Sequence, residues 1–353
     1  MKFEKIKILG IMSGTSLDGI DFAVVDFQLI NEKWQFQIHE NATFSYSDEW
    51  FSRLKFAAHL SVDELVELNK EYTSYLNAQI HKFISDNQIE NLDAIASHGH
   101  TILHNPKEGY TLQIGNLPEI KSGFSIPFIC DFRVQDVKLG GQGAPLVPIG
   151  DRLLFSDFDF CLNLGGFSNI SFEQNDIRIA FDICPVNTVL NYYVNQLDLE
   201  YDDQGKIAAS GTINQNLFDS LNANDFYSKT FPKSLGIEFV FTEAIPTIDK
   251  FNLPIADVLA TYVEHIAYQI SNQLKNKKGK LLITGGGAFN VFLIDRIKKH
   301  NPNMLVEIPN SEIINYKEAL IFAFLGVLRL NNSNNVLASV TGAKHDHSSG
   351  VIF

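Results

Sequence analysis

Two α/β domains built on one repeated plan are what the sequence predicts, from three observations. The chain has 353 residues, too many for one core of ordinary size, so the expectation is two domains of about 150–200 residues each. Each half opens with an apolar run, a glycine-rich turn and a second apolar run, a β-hairpin signature, and the two hairpins lie about 150 residues apart. Strand-like and helix-like periodicities then alternate in both halves. A repeat on this scale implies two similar domains facing a cleft, with chance likeness between two hairpins as the alternative.

The elements follow in order. Residues 6–12 are a buried strand, and the run starting at Phe22 is its hairpin partner. A third strand candidate starts at Trp34. From Ser61 to Asp86, Leu65, Leu68, Tyr72, Tyr75, Leu76 and Ile80 recur at helical spacing, and Ser61 with Glu64 forms a capping-box pattern. The run ending in Ser97-His98-Gly99-His100 is a strand leading into a polar turn. Short strands follow at Tyr110 and Ser125. The Gly/Pro-rich stretch from Lys138 to Pro148 marks the domain crossing, placed near residue 150. The second half repeats strand, glycine turn and strand from Asp159, then adds a strand ending at Phe181-Asp182. A long helix follows Pro254, with Ile255, Leu259, Val263, Ile266 and Ile270 on one face. A strand, a triple-glycine turn and a helix start follow from Gly279, and a buried helix runs from Asn315. The expected domains are 1–150, joined by the tail of about 331–353, and 151–330. The tail His345-Asp346-His347 is expected to be a solvated loop.

The formal net charge is −13. A nucleic-acid binder needs a basic stripe, so the balance argues against that class. It leaves room for small anions held by backbone amides. Three cysteines, none in a CxxC pair, fit a reducing compartment. Cys130 and Cys161 lie in apolar runs and are expected in the core. The apolar stretch after the N-terminal lysines is too short for a signal peptide, and no window approaches the roughly 18–20 apolar residues of a membrane span. The expectation is a cytoplasmic protein.

The residues from Ser13 to Asp21 carry the strongest chemical signal. Three hydroxyls, two glycines and two carboxylates lie between two strands. Glycines admit a ligand to the backbone, and amides and hydroxyls can hold phosphate oxygens. Asp18 and Asp21 can hold Mg²⁺. No GxxxxGK[ST] loop occurs, so a kinase here would cradle phosphate on hairpins. Asn163-Leu164-Gly165-Gly166-Phe167-Ser168-Asn169 is the matching turn of the second half. Thr284-Gly285-Gly286-Gly287-Ala288-Phe289-Asn290 could seat adenosine or be a plain strand-to-helix turn. His98, His100 and Gln113 could hold sugar hydroxyls, with a metal as the lesser alternative. Asp131 and Arg133 could bind a sugar carboxylate or form a structural ion pair. Asp182, ending a strand, could take a proton from water or a hydroxyl.

Together these motifs resemble the anhydro-N-acetylmuramic acid kinases, from Gly10-Ile-Met-Ser-Gly-Thr-Ser-Leu-Asp-Gly-Ile-Asp21 to Ala338-Ser-Val-Thr-Gly-Ala343. SHGHTILH, YTLQIGN, CDFRVQDVKLGGQGAPLVP, NLGGFSNIS, FPKSLGIE, ITGGGAFN and KEALIFAFL stand between, in the family's order. The resemblance implies an actin/hexokinase-like, ribonuclease H-like duplicated fold with an interdomain ATP cleft. It implies a kinase using ATP, Mg²⁺ and water to open and phosphorylate 1,6-anhydro-N-acetylmuramic acid, and a homodimer. By resemblance, Asp182 is the catalytic base. Gly14, Thr15, Ser16, Leu17, Asp18, Gly19, Ile20 and Asp21 bind ATP, with Mg²⁺ on Asp18 and Asp21. Asn163, Gly165, Gly166, Ser168 and Asn169 form the second phosphate turn, and Gly285, Gly286, Gly287 and Asn290 the adenosine seat. His98, Gln113, Asp131, Arg133, Asn187 and Glu318 surround the sugar.

Two departures stand out. The loop after the base is Asp182-Ile-Cys-Pro-Val-Asn187 where the family has a glycine-bearing Asp-Thr-Gly-Pro-Gly-Asn. Losing both glycines is expected to stiffen it and to add side chains beside the sugar. His100 stands where the family commonly has glutamine. Both put the exact sugar in question. The alternatives are another anhydrosugar or sugar as substrate, or a non-catalytic ATP-binding sensor.

Overall fold

The computed structural model describes residues 5–353. The chain divides into two compact units, Met1–Phe155 with Tyr316–Phe353, and Ser156–Asn315. The strands described are β1 (Lys5–Ser13), β2 (Ile20–Ile30), β3 (Lys33–Phe44), β4 (Ala94–Asn105), β5 (Tyr110–Ile114), β6 (Phe128–Cys130), β7 (Phe160–Leu164), β8 (Phe167–Gln174), β9 (Ile177–Pro185), β10 (Gly279–Thr284), β11 (Met304–Glu307) and β12 (Val351–Ile352).

In unit 1 the strand order is β12-β6-β4-β1-β2-β3, with β5 also on β4. The β1–β2–β3 meander is antiparallel, while β4 runs parallel to both β1 and β6. The Val62–Asp86 helix covers one face. Ser61 closes the expected capping box with Glu64. The helix buries Leu65, Leu68, Tyr72, Leu76, Ile80 and Phe83 against Phe22, Ile95 and Ile114. Each such side chain contributes about 1.5–3 kcal/mol. Phe83 stacks on Phe22 at 4.8 Å.

Unit 2 repeats the plan. Its order is β11-β10-β7-β8-β9, with β7–β8–β9 antiparallel and β10 parallel to β7 and β11. An antiparallel three-strand meander followed by parallel strands on the far side of its first strand therefore occurs twice, as a duplicated domain requires. The Ile255–Leu274 helix, begun by Pro254, buries Leu259, Tyr262, Val263, Ile266 and Ile270.

The second domain was expected to end at residue 330. Instead unit 1 resumes at Tyr316, inside the Ser311–Leu330 helix. Packing is the reason. Phe324 meets Phe27 and Trp34 at 5.3 and 5.1 Å, and Lys317 pairs with Asp151 at 2.7 Å. The helix crosses β1 so closely that a Cβ on Gly10 would lie 2.1 Å from the Ala319 carbonyl oxygen. The first crossing falls after Phe155, not within the Gly/Pro-rich stretch.

Of the tail expected to be a solvated loop, His345 and Asp346 are exposed and His347 is not. His347 is buried, with Nε2 3.6 Å from Asp136 Oδ1. Asp136 also accepts from Thr341 Oγ1 and from the Gly143 amide, so it ties the tail to the loop before residue 150. All three cysteines are free and buried.

Candidate active site

In unit 1 the β1–β2 turn leaves Thr15, Ser16 and Asp18 exposed, while Ile20 is in the core. Ile20 can thus meet a ligand only through its backbone. The Leu17 amide donates to the Gly14 carbonyl at 3.3 Å, which closes the turn. Asp21 accepts from Thr43 Oγ1 at 2.6 Å. Burial raises its pKa, the Thr43 bond holds it down, and the Asp18 charge raises it further. A carboxylate raised in part by a second negative charge is a site that gains from a cation.

Around β4 and β6 a second group forms. Arg133 donates from Nε to His98 Nε2 at 2.8 Å and from its Nη1 to the Gly143 carbonyl at 2.6 Å. The His98 Nδ1 lies 2.9 Å from the Gly99 carbonyl, so that nitrogen carries the proton and the ring is neutral. Burial and the Arg133 charge push its pKa well down. Burial also lowers Arg133 to about 10, opposed by Glu318 and Asp136. Glu318 is raised by loss of hydration, lowered by Arg133 and raised by Asp21. Asp131 sits at φ 58°. Burial raises its carboxyl, and the Val134 amide and Lys138 hold it down. Gln113 donates to Thr111 and Thr101 at 2.8 and 3.3 Å, and its buried Oε1 has no partner among the described residues. The two histidines are engaged by Arg133 and Ser13, and no cluster of three metal-binding side chains occurs among the described residues.

In unit 2 three turns converge. The Asn187 side chain donates to the Leu164 carbonyl at 3.2 Å, and its own amide reaches the Gly165 carbonyl at 3.2 Å. Gly285, at φ 80°, lies so close to Asn163 that a Cβ would sit 2.5 Å from Oδ1. It is a packing glycine. Gly286 is exposed, and a Cβ there would meet only Asn187 at 3.6 Å, so its open face is free for a ligand. Asn290 caps the following helix, accepting from the Leu293 amide at 2.9 Å. Ser168 is fully buried, and its hydroxyl donates to the Cys184 carbonyl and accepts from the Cys184 amide. Expected at phosphate, it instead joins β8 to β9. Asn169 remains exposed, opposite Asp182 in the ladder.

Asp182 is half-buried. Its Oδ2 accepts from the Leu235 amide at 2.9 Å, and its own amide donates to the Lys233 carbonyl at 3.1 Å. Oδ1 has no partner among the described residues. Burial raises the carboxyl and the Leu235 bond opposes it. The altered loop after it does not behave as expected. Ile183, Cys184 and Val186 are each fully buried in unit 2's core. Val186 adopts φ −127° and ψ −96°, neither helical nor extended backbone. These three side chains thicken the core.

Thr43, Tyr46 and Leu235 carry no site signal in the sequence, and Tyr72 shows there only as a helix-face residue. Thr43 and Leu235 hold the two key carboxylates, one from a neighbouring strand and one by a backbone amide. The stretch containing Leu235 was visible only as one more matching segment, because an amide carries no side-chain signature.

The family model described as anhydro-N-acetylmuramic acid kinase matches residues 6–353. An anhydro-N-acetylmuramic acid kinase of Haemophilus influenzae is 34% identical, covering 98% of this chain and 97% of its own length. One of Shewanella sediminis is 33% identical, covering 98% of each, and one of Hydrogenovibrio crunogenus is 31% identical over 98% and 97%. Among solved structures, a glucokinase of Streptomyces griseus with glucose and AMPPNP aligns at TM-score 0.40 and 9% identity, covering 90% of this chain and 98% of that one.

Proposed function

The chain belongs to the anhydro-N-acetylmuramic acid kinase family, and from that premise we propose that it opens and phosphorylates 1,6-anhydro-N-acetylmuramic acid with ATP and water. The products are N-acetylmuramic acid 6-phosphate and ADP, a step of cell-wall sugar recycling in the cytoplasm. Among the described residues no helix is long and apolar enough to cross a membrane.

The observation that carries this reading is Asp182, with one oxygen fixed by the Leu235 amide, the other unpartnered, and a raised pKa. That is the state of a general base: held, available and shifted in the direction its task needs. In the proposed reaction Asp182 takes a proton from water as the water oxygen attacks the anomeric carbon. The C1–O6 bond breaks, O6 takes the γ-phosphoryl group, and ADP leaves. Phosphorylation of O6 does what a general acid does in an inverting glycosidase.

Unit 1 brings the exposed hydroxyls of Thr15 and Ser16 and the carboxylates Asp18 and Asp21 for phosphate and metal. All are hard oxygen donors, the set that suits Mg²⁺. When bound, Mg²⁺ neutralises charge on the transferring phosphoryl group. Unit 1 also brings Arg133, aligned by His98 and Gly143, with Asp131 and Glu318, for sugar polar groups. Unit 2 brings Asp182 and the nucleotide turns, with Gly286 as the open glycine and Asn163 and Asn187 beside it. Exposed Tyr192 and Phe241, 6.3 Å apart, fit the homodimer implied by the family, which light scattering would test.

The test is an ADP-release assay with Mg²⁺, ATP and the anhydrosugar in ¹⁸O-water, with mass spectrometry of the sugar. The expected product gains one phosphate and one labelled oxygen at the anomeric carbon. A phosphorylated product without the label would overturn the hydrolytic step. No ADP release in a protein that binds ATP would overturn the choice of sugar.

A further inference from the structure

A chain of four buried polar groups lies beneath the β1–β2 turn. Tyr72 OH is 2.6 Å from Tyr46 OH, Tyr46 OH is 2.6 Å from Ser13 Oγ, and Ser13 Oγ is 2.7 Å from His100 Nδ1. Ser13 and His100 face each other across the parallel β1–β4 pair. Tyr72, Ser13 and His100 are almost wholly buried. Burial pushes Tyr46 up to about 12, raises Tyr72 well above the ordinary tyrosine range, and pushes His100 down to about 4, so every member is neutral near pH 7.

Such a chain can run in two directions. If His100 Nδ1 carried the proton, the donors would point towards Tyr72. The Tyr72 O–H, 0% exposed, would then no longer donate along its 2.6 Å bond to Tyr46 and would have only the Ser13 hydroxyl to meet, an oxygen already engaged by Tyr46 and His100. A buried unpaired donor costs about 1–3 kcal/mol. Run the other way, every group is satisfied. Tyr72 donates to Tyr46, Tyr46 to Ser13, and Ser13 to His100 Nδ1. The proton of the neutral ring then sits on Nε2, which has no protein partner among the described residues.

His100 lines a cavity of about 410 Å³ in unit 1. Thr15 and Ser16 border it from the turn, Phe51 and Lys55 from the Asp48–Phe56 helix, and Thr101 from β4. The volume is that of a small-ligand site. No aspartate or glutamate borders it, although the chain carries 41 of them. One lysine, one imidazole and three hydroxyls beside an apolar wall suit a carboxylate with a small alkyl neighbour.

We infer that His100 is a specificity-determining residue, its Nε2–H a fixed donor to the lactyl carboxylate of the sugar in this cavity, with Lys55 supplying the opposite charge. The inference rests on the proposed substrate. It also accounts for the departure from the family's glutamine. A neutral imidazole accepting at Nδ1 and donating at Nε2 reproduces the acceptor and donor of a side-chain amide. The same donors could instead meet a phosphate of ATP, and the experiment separates the two.

Calorimetry, independent of turnover, would compare 1,6-anhydro-N-acetylmuramic acid with 1,6-anhydro-N-acetylglucosamine, which lacks the lactyl group. His100→Phe is expected to weaken binding of the acid by about 10–100-fold and to leave the analogue unchanged. His100→Gln is expected to restore the acid to within about threefold. Lys55→Ala, an exposed substitution that does not threaten folding, is expected to weaken the acid alone by about 3–10-fold. The KM for ATP should move in none. Equal losses for both sugars, or a raised KM for ATP in place of a weakened acid, would overturn the assignment. So would an unchanged acid affinity in both His100→Phe and Lys55→Ala. Imidazole ¹⁵N shifts give a readout that needs no sugar: protonation at Nε2 supports the chain's direction, and protonation at Nδ1 overturns it. A wild-type protein that binds the acid with this pattern but forms no labelled phosphate product would sink the proposed reaction and leave the His100 assignment standing.

Discussion

The two units share a strand order and differ in what they place at its turns. In unit 1 the β1–β2 turn shows hydroxyls and the Asp18 carboxylate to solvent, and beside it lie two histidines on β4, an arginine after β6 and a glutamate on the Ser311–Leu330 helix. In unit 2 the corresponding β7–β8 turn has its serine buried against Cys184, leaving glycines, amides and a single raised acid, Asp182. A duplicated scaffold has thus become asymmetric in chemistry: one copy concentrates charge, the other a single raised carboxyl and a close-packed backbone turn. The lesson is that homologous turns need not hold homologous roles, and substitutions can separate them.

The largest effect should come from the base. Asp182→Asn keeps a partner for the Leu235 amide but cannot take a proton, so kcat is expected to fall by about 10²–10⁴ while ATP affinity is kept. In wild type, a base with a raised pKa places the acid limb of kcat/KM above the ordinary carboxylate range, with activity lost as pH falls through it. Retained turnover in Asp182→Asn would remove unit 2's claim to the chemistry. The next effect belongs to unit 1. Asp21→Asn keeps the bond from Thr43 while removing a charge, and the Mg²⁺ concentration for half-maximal rate should rise about 10–100-fold. A rate insensitive to this change would mean that the metal is held elsewhere.

The triple-glycine turn can be tested directly. Gly285→Ala forces a side chain into a left-handed backbone and against Asn163, so it should cost about 2–4 kcal/mol of stability in urea denaturation. Gly286→Ala should leave stability almost untouched and raise the KM for ATP. If the two behave alike, the distinction between packing glycine and ligand-facing glycine fails.

Much of this was legible in the sequence. Periodicity located the strands and long helices because one face of each is buried, and the capping box at Ser61 worked as read. The two hairpin turns announced the duplication. Three things were hidden, each for a physical reason. The Ser311–Leu330 helix is apolar over much of its length, and nothing in its own pattern says whose sheet it covers. Ile183, Cys184 and Val186 looked like a changed loop because a glycine's absence is visible and the direction of its replacement is not. The holders of the two acids, Thr43 and the Leu235 amide, lie 22 and 53 residues away in the chain. Local spacing cannot show a partner brought in by the sheet or by a backbone amide.

The smallest expected effect sharpens the comparison most, because the units should agree in it and then part. Each buries a neutral histidine with a depressed pKa, His100 at about 4 in unit 1 and His265 at about 3 in unit 2, where it meets Asn222 and Tyr227. Unfolded, both would titrate near 6.5, so the unfolded chain binds more protons below that pH. The stability each contributes is full above about pH 6.5 and is lost as pH falls towards the folded value. For either residue the loss between pH 7 and pH 5 is about 2 kcal/mol. His100→Gln and His265→Gln should therefore flatten the pH dependence of the urea midpoint to a similar degree. Only at His100 should the further exchange to Phe alter which sugar binds, since His265 spends both ring nitrogens inside its own core. Matching effects on stability with unequal effects on sugar affinity would mean that burial alone sets the proton, and that position beside the turn sets the function.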